Sequence, residues 1–133
     1  MNTPTDLIHD TDQSRPAVTE RVQAALDGLL AQLVEVYATR PTTDAGHAQR
    51  CAVLALLHAR CAGWWRVLAR AGYRDHTVPV LYASAARIAC DSARSTARFW
   101  RDTAADWHAR AEGRPTSDAA GALSNWHELG VIA

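Results

Sequence analysis

Apolar residues recur at steps of three and four through most of this 133-residue chain, and prolines stand where the pattern breaks. Side chains three or four apart share one face of an α-helix, so the pattern predicts amphipathic helices rather than strands. Pro16 suits a first-turn position. From there Val18, Val22, Ala25/Leu26, Leu29/Leu30, Leu33 and Val36/Tyr37 mark a helix to about Thr39, stopped by Pro41. Thr42, Thr43 and Asp44 offer caps for a second helix over about 44–71. Its inner face reads His47, Cys51, Leu54, Leu57/His58, Cys61, Trp65 and Leu68, and Gly72 is the expected left-handed terminator. Asp75 or Thr77 can cap a third helix that Pro79 opens and nothing stops before Gly113 and Pro115. That is about 35 residues, or roughly 50 Å, with Asp91–Ser95 the one place where short polar residues invite a break. Thr116, Ser117 and Asp118 can cap a short last helix carrying Leu123, Trp126 and Leu129, ended by Gly130.

The expected fold is therefore all-α, a helical bundle of three long helices plus a short C-terminal helix. Residues 1–14 are expected to be a flexible N-terminal segment and 15–133 a single domain. Three helices so unequal in length leave apolar surface overhanging, which predicts completion of the bundle by homodimerisation.

Composition narrows the chemistry. Alanine, the strongest helix former, fills about a fifth of the chain. There is no lysine, so all 14 fixed positive charges are arginine, balanced by 14 Asp and Glu. Without lysine there is no Schiff-base lysine, no P-loop lysine and no SxxK nucleophile pair. The zero net charge argues against nucleic acid and anionic membrane as partners of the whole chain. The N-terminus has neither a basic region nor an apolar core, so no signal peptide is expected. The most apolar stretch, Ala52 to Trp65, is interrupted by His58 and Arg60 and is too short to span a membrane. Cys51, Cys61 and Cys90 make no disulfide framework, and the first two lie roughly 15 Å apart along one helix. A cytoplasmic location follows, and the Arg-only, Ala-rich usage suggests a GC-rich bacterial source.

The third helix carries the most suggestive pattern. Its expected apolar face is Leu81, Ala85, Ile88/Ala89, Ser92, Thr96, Phe99/Trp100, Thr103 and Trp107. Opposite it, Arg87, Arg94, Arg101 and His108 recur at seven-residue steps and so form one stripe, with Arg98, Asp91 and Asp102 alongside. As a solvated face the stripe would hold Arg87–Asp91 and Arg98–Asp102 pairs, worth roughly 0.2–0.5 kcal/mol each. As a functional face, Arg94, Arg98 and Arg101 would outnumber the acids and grip a phosphate or carboxylate. As a dimer seam, a stripe of both signs would pair with itself.

Arg101-Asp102 followed after five residues by His108 resembles the R-x(4–6)-H motif of the HEPN-domain ribonucleases, which are dimeric helical bundles. The resemblance covers about eight residues and departs from the family after the histidine, where Ala109-Arg110 replaces a small or glycine residue. It implies Arg101 as a phosphate contact and His108 as the proton-transfer group at a dimer interface.

Metal binding has thinner support. His47/Cys51 and His58/Cys61 each present two ligand types on one face, and Cys90 or Asp91 would have to complete a site. Burial of free thiols is the simpler expectation, and no metal or other cofactor is predicted. A di-iron centre is excluded for want of any Glu-x-x-His pair. The five tryptophans cluster at comparable levels: Trp64 and Trp65 on the second helix, Trp100 and Trp107 on the third, Trp126 beyond. Most should be core, with Trp65 pointing inward and Trp64 partly exposed; a Trp-lined groove with arginine at its lip would suit a ligand or an interface.

The expected function is a small binding or interaction protein holding an anionic or aromatic small molecule or a peptide. Trp64, Trp65, Arg94, Arg98, Trp100 and Trp107 are the candidate ligand-binding residues. The alternative is a small cofactor-free enzyme, acting on a peptide, a small molecule or RNA, with Arg101 and His108 as candidate catalytic residues.

Overall fold

A computed structural model describes residues 17–76 and 78–116, and these form three helices: α1 (Val18–Ala38), α2 (Asp44–Arg74) and α3 (Val80–Ala111). The fold is all-helical, with no strand among the described residues. The segment expected over 1–14 and the last helix expected around Leu123, Trp126 and Leu129 lie outside the described residues. No helix among the described residues is long and apolar enough to cross a membrane.

Local chemistry accounts for most of the helix ends. α1 begins at Val18, directly after Ala17, whose carbonyl accepts from the Arg21 amide at 3.0 Å. α2 is capped by Thr43, whose Oγ1 accepts from the Gly46 amide at 3.0 Å, with Asp44 favourably placed in the positive first turn. α3 ends where Gly113 adopts φ +68°, and the Arg114 amide turns back to the Ala109 carbonyl at 2.7 Å.

Several expectations need correction. Gly72 does not end α2, which runs on to Arg74. A Cβ at Gly72 would lie 2.4 Å from the Ala83 Cβ and 3.2 Å from its Cα, so at this glycine the α3 backbone approaches α2 too closely for a side chain. Pro79 occupies the N-cap of α3 rather than its first turn, and no side chain caps that end. α3 is continuous through Asp91–Ser95, as expected of a helix that nothing stops before Gly113. There the Thr96 hydroxyl donates to the Ser92 carbonyl at 3.1 Å, so it supplements the helix instead of competing with it.

α2 is the central element and buries two faces. Leu54 and Leu57 meet Leu29 and Leu33 of α1 in the main apolar cluster, and Val36, Val53, Cys61, Trp64 and Trp100 close around it. Ala48, Ala62 and Ala69 lie on the other buried stripe, toward α3. The α2–α3 seam is much more extensive than the α1–α2 contact.

The expected inner face of α3 is the second correction of substance. The buried positions are Ala83, Ala86, Cys90, Ala104 and Ala109, whereas Leu81, Ile88 and Phe99 are 74%, 68% and 60% exposed. Small side chains win the inside because the two long helices pack closely, as the Gly72–Ala83 approach requires. Large side chains on that face would hold them apart.

Candidate functional site

The Arg stripe is exposed as expected, but its internal ion pairs are not those of the i,i+4 pattern. Asp102 receives Arg101, its chain neighbour, with Nε and Nη2 each 3.3 Å from Oδ1. Neither the Arg87–Asp91 nor the Arg98–Asp102 pair forms. Arg94 and Arg98 instead border a groove of about 440 Å³ between α2 and α3. Across it stands Arg66 of α2, which the sequence reading missed.

The groove follows from the helix registers. Ala59, Ala62 and Gly63 bring little side-chain bulk to the α2 wall, and Cys90 and Ala97 do the same on α3. Added bulk at Gly63 would meet nothing within 4 Å, so the floor is open rather than packed. No carboxylate lines the groove among the described residues. Among the described residues, Arg66, Arg94 and Arg98 have no hydrogen bond, ion pair or ring contact. Three arginines thus border an apolar floor, and none of them is paired with an acid among the described residues, an arrangement suited to bidentate contact with an oxyanion.

The tryptophans do not gather into one groove. Trp64 and Trp100 are half-buried against the α1–α2 cluster, and Trp100 stands edge-on to Tyr37 at 5.9 Å between centroids. Trp107 stacks on His47 at 4.2 Å, with Arg110 4.9 Å over its ring, which ties the end of α3 to the start of α2. Trp65 is half-buried rather than fully inward, and it lines a separate apolar groove of about 510 Å³ between α1 and α2. Of the six expected binding residues, only Arg94 and Arg98 come together at one site.

The chain matches no family model, and comparisons with curated proteins and with solved structures give no match either. Function must therefore be argued from the side chains.

The other chemistry-bearing groups are engaged structurally or stand alone. His58 Nε2 lies 3.1 Å from the Tyr37 hydroxyl, and partial burial pushes its pKa below the ordinary histidine value. Burial pushes the Cys51 and Cys61 thiols up, with Arg50 partly opposing this at Cys51. Thiols held in that direction are poor nucleophiles near neutral pH. Among the described residues, no three His, Cys, Asp or Glu side chains converge to hold a metal ion. His108 is exposed on α3 near its C-terminal end, on the same stripe as Arg101.

Proposed function

We propose that this protein is a binding module that holds an anionic small molecule in the α2–α3 groove. The observation that carries the reading is that Arg66, Arg94 and Arg98 border one groove with an alanine and glycine floor, with no acidic side chain in the lining among the described residues. A groove of about 440 Å³ falls within the range of small-molecule sites. The arginines fit a phosphate or carboxylate, and the alanine methyls fit a flat apolar body attached to it. The site would operate in the cytoplasm, where free thiols such as Cys51, Cys61 and Cys90 persist.

The experiment is calorimetric titration with a panel of organic phosphates and aryl carboxylates at two salt concentrations. The expected result is saturable binding, weakened roughly 10-fold or more by Arg66→Ala or Arg94→Ala, as loss of a charged hydrogen-bond partner does. Gly63→Leu should abolish binding by filling the floor, and Arg21→Ala on α1 should change nothing. Binding that ignores all three groove substitutions, or no binding by any anion, overturns the reading. The enzyme reading through Arg101 and His108 has no geometric support of its own, since Arg101 is held by Asp102. Its test is RNA cleavage that disappears in His108→Ala with the fold intact.

A further inference from the structure

α3 is apolar on two sides. The side toward α2 is made of alanine and cysteine, yet Leu81, Ile88 and Phe99, three of its largest apolar side chains, lie on the outward side and are mostly exposed. With Ala85, Ser92 and Ser95 they follow spacings of four, three, four, three and four, the seam pattern of a two-helix coiled coil. From Leu81 to Phe99 the stripe is about 27 Å long, more than scattered surface apolar residues account for.

We propose that this face is the seam of a homodimer in which two copies of α3 pack antiparallel about a twofold axis midway between Ser92 and Ser95. The four central positions of the stripe, Ile88, Ser92, Ser95 and Phe99, are self-complementary about that point. Ile88 and Phe99 are equally far from it, so each Ile88 meets the partner's Phe99 and the small serines meet at the centre, where the backbones come nearest. Charge agrees with the register. Asp91 and Arg98 flank the stripe on one side of α3, and neither has a hydrogen bond or ion pair among the described residues. In an antiparallel pair the same flank of each helix faces its copy, which places Asp91 within reach of the partner's Arg98, twice. A lipid surface fits less well, because a flank carrying Asp91 and Arg98 together offers an anionic headgroup layer no net attraction.

The inference does not rest on the groove reading. The seam draws Arg98 toward the partner and leaves Arg66 and Arg94 as the anchors of the groove.

The test is sedimentation velocity of the full chain over a concentration series, with far-UV circular dichroism to follow helix content. The expected result is a monomer–dimer equilibrium that Ile88→Asp or Phe99→Asp shifts to monomer while helicity persists. Leu30→Asp, on the exposed side of α1, should leave the dimer unchanged. Asp91→Arg and Arg98→Asp should each weaken the dimer roughly 10-fold or more by opposing like charges, and the double exchange should restore it. That rescue is specific to this register and needs no change in the apolar stripe. A monomer at every concentration overturns the proposal. A dimer indifferent to Ile88, Phe99 and the charge exchange places the interface elsewhere and overturns it equally.

Discussion

Two glycines in α2 show how one residue type serves opposite ends. At Gly72 a methyl group would collide with Ala83, at 2.4 Å from its Cβ and 3.2 Å from its Cα. Gly72→Ala should therefore destabilise the protein by about 1–3 kcal/mol, the usual cost of overpacking a helix contact. At Gly63 the same methyl meets nothing within 4 Å, and Gly63→Ala should stabilise by roughly 0.5–1 kcal/mol through helix propensity. Thermal unfolding of the two variants checks both signs at once. His58 adds a pH dependence. Its folded pKa lies below the unfolded value near 6.5, so the unfolded chain takes up the proton first as pH falls. This contribution is complete above the unfolded value and is lost between it and the lower folded value. The unfolding midpoint of the parent should fall between about pH 7.5 and 5.5 more than that of His58→Gln, which lacks the titrating group. Parallel curves would show that His58 is not the group concerned.

At the scale of the element, α3 behaves as a two-sided helix whose small face is decided by closeness. Ala86 is 1% exposed and faces α2. Ala86→Leu should cost about 1–3 kcal/mol, because the three added carbon atoms cannot be housed without parting α2 from α3. Ile88→Leu, two residues away on the outer face, should be nearly neutral, and denaturant titration would separate the two. The end of α1 illustrates a different device. Its last carbonyls, of Val36 and Tyr37, accept from Arg50 of α2 at 3.1 Å each, and the guanidinium also sits 5.8 Å from the Tyr37 ring centroid. The Thr39 hydroxyl also donates to the Val36 carbonyl. α1 thus borrows part of its C-terminal cap from another helix, whereas α2 caps itself through Thr43.

For the molecule as a whole, stability should be uneven. α2 and α3 share a long close seam, while α1 is held mainly by the Leu29, Leu33, Leu54 and Leu57 cluster and by Arg50. Native-state hydrogen exchange should show α1 opening at lower free energy than the α2–α3 pair. Arg50→Ala should weaken α1 further, by about 1.5–3 kcal/mol for the loss of charged hydrogen bonds, and leave α3 protection unchanged. Equal protection in all three helices would mean that α1 is as firmly held as the seam. The same asymmetry would put the arginine-bordered groove of the proposed function on the firmer α2–α3 pair, where Arg66 and Arg94 keep their spacing when α1 opens.

The three helices and most of their ends were legible in the sequence, because Pro16, Pro41, Thr43, Gly113 and the three-and-four spacing act within a turn or two of themselves. So were the buried face of α1 and the leucine face of α2, where leucine and valine contrast with charged neighbours, but not the second buried stripe of α2, Ala48, Ala62 and Ala69. α3 defeated that reading because alanine, isoleucine and phenylalanine all count as apolar to a periodicity. Which stripe turns inward depends on how near the partner helix comes, and Gly72 against Ala83 decides it. The candidate site was half visible. Arg94 and Arg98 stand one turn apart and announce themselves, but Arg66 lies 28 residues earlier on another helix. Its only local signal is the small-residue run Ala59, Ala62 and Gly63 beside it. Helices are local objects set by neighbours along the chain; the inward face of α3 and the meeting of three arginines are relations between helices, and only packing creates them.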